Sequence, residues 1–217
     1  MPEDDQSQLG DDAAPPEGRP VAARNASELR DLSDPKTMRA LAHPIRLQLL
    51  EALALDGPLT ATQAAELIGE TPTTCSFHLR QLQKYGFVED SGAGGTRERP
   101  WRLTQIGNNI PDYTGEPEVD LAAGALTKVL LERALGRVRD WWEQRVSYPE
   151  DWRSVTGISE TVWFVTAREL EQLMSEIEPL MFRFVERLED PAKRPPDALP
   201  VEVLICSYLM RFPAKGR

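Results

Sequence analysis

The stretch from Thr60 to Arg102 constrains this chain more than any other. It spells two short helices joined by a glycine turn, then a glycine-tipped hairpin with arginines on its return arm. Thr60 offers a hydroxyl cap with Gln63 as its capping-box partner, so a helix should start there. Ala64, Ala65, Leu67 and Ile68 give it a small apolar face, and Gly69 can take the left-handed conformation that ends it. Thr71 before Pro72 is a second start signal, with a side-chain cap followed by a preset φ. Two short amphipathic helices with so brief a turn between them can cross steeply, as a helix-turn-helix requires.

On the second helix, over 72–85, Cys75, Leu79 and Leu82 recur at helical spacing and should face the core. The remaining positions, Thr73, Thr74, Ser76, Phe77, Arg80, Gln81 and Lys84, supply hydroxyl, amide and cationic donors. They also include an aromatic ring able to meet a thymine methyl. His78 borders the apolar stripe and is open to two readings, a packing residue or a phosphate donor. An isolated helix with these residues would be an ordinary solvated one. In this motif the same positions reach base edges in the major groove.

Lys84, Tyr85 and Gly86 close the second helix. Phe87 to Asp90 then reads as a short strand, Ser91 to Thr96 as a turn with three glycines, and Arg99 to Leu103 as the returning strand. Arg97 and Arg99, with Arg102, sit on or beside this 91–99 wing, where guanidinium groups can pair with phosphates or enter the minor groove. Trp101 is read as a packing residue.

These residues also carry a family resemblance. The run Ala40-Leu41-Ala42-His43-Pro44-Ile45-Arg46-Leu47, then Thr71-Pro72-Thr73-Thr74-Cys75-Ser76-Phe77-His78-Leu79 and Lys84-Tyr85-Gly86-Phe87-Val88-Glu89, is similar to the winged domain of the ArsR family of bacterial repressors. Arg97-Glu98-Arg99-Pro100-Trp101-Arg102 resembles the wing of an actinobacterial subgroup. The resemblance covers about a third of the chain, from Asp34 to Gly107. It implies a homodimer that binds a two-fold symmetric, double-stranded DNA operator. Many members of that family sense metals through paired cysteines or His and carboxylate clusters. This chain departs from them, with only Cys75, Cys206, His43 and His78, none closely spaced, so neither a metal site nor any other cofactor is expected. Both cysteines read as packing residues. His43, before Pro44, reads as the marker of a helix restart, capping or bonding locally.

The net charge of −10 looks wrong for a DNA binder until it is divided along the chain. Residues 1–34 hold three basic and nine acidic side chains, 35–107 eight and seven, and 108–217 fourteen and nineteen. The acidity thus lies outside the winged segment, whose own acids are expected mostly off the contact face. Binding should be salt-sensitive and should depend on pairing of two copies.

Residues 1–33, rich in acids, Pro and Gly, read as a disordered acidic tail without a signal-peptide pattern. No apolar run is long enough for a membrane span, and a cytoplasmic location is expected. After the winged domain at 34–107, residues 108–117 read as a linker. From Val119 to about Arg145 a long helix is predicted, with Leu126, Leu130, Ala134, Val138 and Trp141 on one stripe widened by Leu131, Leu135 and Trp142. At about 25 residues and roughly 38 Å it exceeds what one winged domain needs, which suggests a dimerisation surface. Packing within its own subunit is the alternative.

Tyr148 to Gly157 reads as a polar loop. Thr161–Val165 and Val201–Met210 are strand candidates, flanking a helix capped by Thr166 and Glu169 and interrupted by Pro179. The fold class is therefore mainly α with small β (α+β): a winged helix-turn-helix, then, over 118–217, a long dimerisation helix followed by a strand-helix-strand extension loosely similar to that of the actinobacterial regulators. Trp141, Trp142, Trp152, Trp163, Phe164, Phe182, Phe184 and Tyr208 offer enough aromatic surface for a small hydrophobic effector, or for an ordinary core.

The function expected is sequence-specific DNA binding in transcriptional regulation, as a repressor and without enzymatic activity. An enzyme with a winged dimerisation module is a poor alternative, because the C-terminal half has no Gly-x-Gly-x-x-Gly turn, no phosphate-binding loop and no histidine. A winged module that binds a protein of the transcription machinery is the other alternative, which the mild charge of the domain leaves open.

Overall fold

The computed structural model describes residues 29–92 and 99–211. Two helices separated by a short break precede the helix-turn-helix. Asp34 caps α1 (Pro35–Leu41) by accepting from the backbone N–H groups of Lys36 and Thr37 and from the Thr37 hydroxyl. That hydroxyl, with the backbone bonds, holds its carboxyl below the usual carboxylate range. The chain turns at Ala42 and restarts at His43 as α2 (Pro44–Asp56). The restart fits the His-Pro pair. His43, however, makes no side-chain cap bond.

The helix-turn-helix follows the local signals closely. α3 (Ala61–Ile68) carries the full Thr60/Gln63 capping box and ends on Gly69 at φ 73°. α4 (Pro72–Lys84) starts under a Thr71 side-chain cap. Strands β2 (Val88–Asp90) and β3 (Trp101–Leu103) then pair antiparallel, with Glu89 opposite Arg102, and Leu59 makes a separate antiparallel bridge to Trp101.

Two short pieces of backbone correct the expected boundaries. Residues Arg30–Asp31, placed by sequence in the disordered tail, form β1, which pairs in parallel with β4 (Asn108–Asn109) at the start of the expected linker. Leu32 behind β1 is only 2% exposed and belongs to the core. Arg30 donates to the carbonyls of Gly86 at 3.1 Å and Tyr85 at 3.0 Å, and its guanidinium lies over the Phe87 ring. It thereby supplies a cation and two donors to the C-terminal end of α4, where free carbonyls need both. The two segments approach so closely that a Cβ on Gly107, which sits at φ +81°, would lie 2.7 Å from a Leu29 methyl.

One core holds all this together. α1, α2, α3, α4 and β2 contribute Met38, Leu49, Leu53, Ala64, Cys75, Leu79, Leu82 and Val88, and the first turns of α5 (Pro117–Gln144) close it with Val119, Ala122, Ala123 and Leu126. α5 runs for 28 residues, about 42 Å, and its first half packs along α1. The predicted stripe therefore divides. Leu126 is fully buried within its own subunit, Ala134 is buried, and Leu130 is partly buried against the same core. The face left outward carries Leu131, Leu135 and Trp142. Val138 and Trp141 lie half-buried at its margin.

Beyond α5, residues Glu150–Val155 form the short helix α6 where a loop was expected. α7 (Ala167–Met181) begins at the Thr166/Glu169 capping box and contains Pro179, and the chain resumes as α8 (Glu186–Glu189), so the helix is split as Pro179 suggested. Neither Thr161–Val165 nor Val201–Met210 is a strand. A strand needs a neighbour for its ladder, and within one chain these segments have none. Cys206, expected to pack, is exposed for the same reason.

Arg30→Ala should lower the unfolding free energy by about 1–2 kcal/mol, through loss of two charge-assisted hydrogen bonds at the end of α4. Thermal unfolding followed by circular dichroism checks this; an unchanged midpoint would mean that β1 does not hold α4.

Candidate nucleic-acid interface

The phase of α4 decides which of its side chains can meet a partner. Cys75, His78, Leu79 and Leu82, spaced by three, one and three residues, form its inner face and are buried. That leaves Thr73, Phe77, Arg80 and Lys84 exposed on the outer face, with Ser76 and Gln81 half-exposed beside them. Phe77 is 52% exposed, a large apolar ring presented to solvent among hydroxyl and cationic groups. Arg80 makes no ion pair with a described residue, and the Lys84 ammonium lies over the Tyr85 ring, 5.7 Å from its centre. Thr74 is half-buried, its hydroxyl 2.8 Å from that of Thr71 and its N–H donating to the same capping oxygen.

His78 does not belong to this outer face. It is 7% exposed, and its ring lies 4.5 Å from that of His43 and 5.1 Å from that of Phe77. The 75/78/79/82 spacing, an i, i+3, i+4, i+7 set, is the signal that turns it inward. Neither His43 Nδ1 nor His78 Nδ1 has a hydrogen-bond partner among the described residues. Burial lowers the pKa of both imidazoles, with Arg46 adding repulsion at each and His43 adding more at His78. The pair thus fastens the first turn of α2 to the middle of α4 in its neutral form. Burial, and then Glu70, push the Cys75 thiol up, so it packs as a small apolar group.

On the wing, Arg99 pairs with Asp90 at 3.0 Å and Arg102 with Glu89 at 2.7 Å. Two of the acids expected to lie mostly off the contact face, Glu89 and Asp90, thus stand on the wing strand, each bound to an arginine of the returning arm. A bond from the Gly92 N–H, then Arg99, hold the Asp90 carboxyl below its ordinary range. Arg97 lies outside the described residues. Trp101 is half-buried against the core, as a packing residue would be.

A recognition helix with a free outer face, crossed by a capped helix and flanked by a two-stranded wing, defines a winged helix-turn-helix domain, the class the sequence led us to expect. Residues 41–90 match the family model described as a helix-turn-helix domain. Among solved structures, the chain is similar to reduced HlyU from Vibrio cholerae N16961, at 21% identity over 42% of this chain and 82% of that one, with a TM-score of 0.28. It is similar at 27% identity to the homodimeric winged helix-turn-helix DNA-binding domain (fragment 1–100) of Mb0332 from Mycobacterium bovis, described as a possible ArsR-family transcriptional regulator; the match covers 47% of this chain and 81% of that one, with a TM-score of 0.30. The S. aureus MepR–DNA complex matches at 18% identity over 52% of this chain and 87% of that one, with a TM-score of 0.29. No curated protein matches the chain.

The rest of the described surface offers little that competes with α4. No three His, Cys, Asp or Glu side chains converge on a metal-sized site among the described residues. The two best-formed hollows, about 190 and 200 Å³, lie against the winged domain, and none of the extension's aromatic residues lines them. Among the described residues no helix is long and apolar enough to cross a membrane.

The buried histidine pair gives the domain a pH dependence with a definite sign. Because both imidazoles titrate lower in the folded chain than in the unfolded one, their neutral form stabilises the fold above about pH 6.5, and that contribution declines as pH falls below it. The thermal midpoint should therefore drop between pH 7 and pH 5, and His78→Gln should flatten that drop; parallel curves for both proteins would contradict the account.

Proposed function

We propose that this chain is a DNA-binding transcriptional regulator that acts as a homodimer, placing α4 in the major groove and the 91–99 wing on the backbone or in the adjacent minor groove. The observation that carries the reading is the outer face of α4. Its inner face is wholly committed to the core, while Thr73, Phe77 and Arg80, with Ser76 and Gln81 beside them, stand free on a capped, fixed helix. An arginine can bind guanine O6 and N7 in a bidentate manner, an amide can read adenine, and the Phe77 ring can pack on a thymine methyl. Lys84, and Arg99 and Arg97 of the wing, are the phosphate contacts of this proposal.

The winged domain carries nearly balanced charge, and Arg99 and Arg102 of its wing are already engaged by Asp90 and Glu89. One copy would therefore bind weakly, and two copies reading symmetric half-sites would gather enough phosphate contacts. The exposed Leu131, Leu135 and Trp142 on α5 are available for pairing. Such a dimer regulates by occupying its operator, which represses where the operator overlaps a promoter. In this reading the protein works in the bacterial cytoplasm and performs no catalytic step.

The contact map is tested by anisotropy titrations on a DNA site selected by footprinting a genomic library. Arg80→Ala should cost about 1–3 kcal/mol and relax sequence choice at its base, whereas Arg97→Ala should weaken all sequences alike and flatten the salt dependence. Unaltered binding by both variants would overturn the map. Asp90→Asn keeps an acceptor for the Gly92 N–H but releases Arg99, so at low salt it should tighten binding about threefold; weaker binding would mean that the Asp90–Arg99 pair shapes the wing for contact rather than restraining it.

A further inference from the structure

The described residues beyond Ala134 include none that is buried. This half of the chain is not polar, however. Val162, Trp163 and Val165 are about half-exposed or more and Phe164 is fully exposed, as are most side chains from Val201 to Met210 to similar degrees. No backbone N–H or C=O from residue 157 to 165 or from 199 to 210 pairs with another described backbone group. Two apolar segments thus present open backbone edges, and none of the usual safeguards protects them. Thr161–Val165 and Val203–Met210 contain no charged residue and no proline.

The segments are nevertheless anchored. Glu202 accepts from Arg137, which also reaches Glu51 of α2 together with Arg133, and the Ser207 hydroxyl donates to Met174 Sδ of α7 at 3.6 Å. Arg194 donates to the carbonyls of Leu55 and Ala54 at the end of α2, the former at 2.6 Å. The extension is therefore held against its own winged domain by polar contacts while these two apolar segments stay largely exposed.

We infer that residues 161–165 and 201–210 are the strands of a sheet completed by the same segments of a second copy of this chain. It shares with the proposed function only the presence of two copies and does not depend on DNA binding. Three observations select this occupant. The segments match one another in chemistry, being uncharged apart from Glu202, whose carboxylate Arg137 already engages, and an isologous two-fold interface needs such self-complementary surfaces. The area suffices: covering Trp163, Phe164 and Tyr208 with the neighbouring aliphatic side chains would remove on the order of 1,000 Å² per copy, against the roughly 800 Å² per partner of a stable interface. The chain's own residues 1–28 are a poor cover, offering Leu9 and Val21 as their only branched aliphatic side chains and seven acids.

Amide hydrogen exchange on the full chain, with mass measured in parallel by sedimentation, tests this. A dimer should show amides in 161–165 and 203–209 exchanging on the order of 100-fold more slowly than unpaired ones. Phe164→Asp with Ile205→Asp should give a monomer in which those amides exchange freely while the winged domain keeps its protection. A wild-type dimer with freely exchanging segments would overturn the inference and leave α5 pairing and DNA binding intact. A monomer with protected segments would overturn it in favour of pairing within one chain. Loss of operator binding in the wild type with both segments protected would instead count against the proposed function alone.

Discussion

The inner face of α4 is the constraint on which the rest depends. Cys75, His78, Leu79 and Leu82 lock the helix into a core built from α1, α2, α3 and the start of α5, and a helix so packed can present only one set of side chains outward. Every supporting feature serves that placement. The Thr71 cap fixes where the helix begins, Arg30 satisfies the carbonyls where it ends, and the His43–His78 pair ties its middle to α2. Because interiors are close-packed and side chains there occupy single rotamers, the outer face is held in a fixed arrangement rather than sampled. In the proposed function, pre-organisation of this kind would let Arg80 and Gln81 meet base edges without a large ordering cost.

The two halves of the chain solve different problems. All the buried apolar residues among the described ones lie at or before Ala134; beyond that point the chain keeps its apolar residues at least partly on the surface and, from 161 to 165 and 201 to 210, leaves its backbone unpaired with any other described backbone group. α5 joins the two, serving as core in its first half and as an exposed rod in its second. The Glu51–Arg133–Arg137–Glu202 network sits at that junction and connects α2 to the base of the extension. Ion pairs in such partly exposed positions contribute modestly to stability but fix orientation. Here they set the direction in which the extension leaves the winged domain.

What could be read from the sequence was what short-range chemistry decides. The Thr60/Gln63 and Thr166/Glu169 boxes, Thr71-Pro72 and Gly69 all mark helix ends through bonds within a few residues, and each appears where the sequence placed it. Arg30 and Leu32 were missed because their role comes from a parallel pairing with residues 108–109, far along the chain; the alternation Leu29-Arg30-Asp31-Leu32 just before the Asp34-Pro35 cap was the available signal. His78, open in the sequence between packing and phosphate contact, is settled by phase: it stands three residues after Cys75 and four before Leu82 on the buried stripe. The α5 stripe was correct as a pattern, but periodicity does not say what covers a face: Leu126 lies in the core of its own subunit, whereas Leu131 is exposed. The strand candidates show the same limit. Their composition suits a sheet, yet a sheet exists only where a second strand lies alongside.

The most direct test of the central claim is made on the DNA. Hydroxyl-radical footprinting of a site selected from genomic fragments, with dimethyl sulfate protection in parallel, should show two protected half-sites related by a two-fold axis and about one helical turn apart, with guanine N7 protection in the major groove at the centre of each and backbone protection at the flanks where the wings lie. A single unsymmetrical footprint, or no selection of any sequence above bulk DNA, would contradict the claim that the packed inner face of α4 exists to present its outer face to a base sequence.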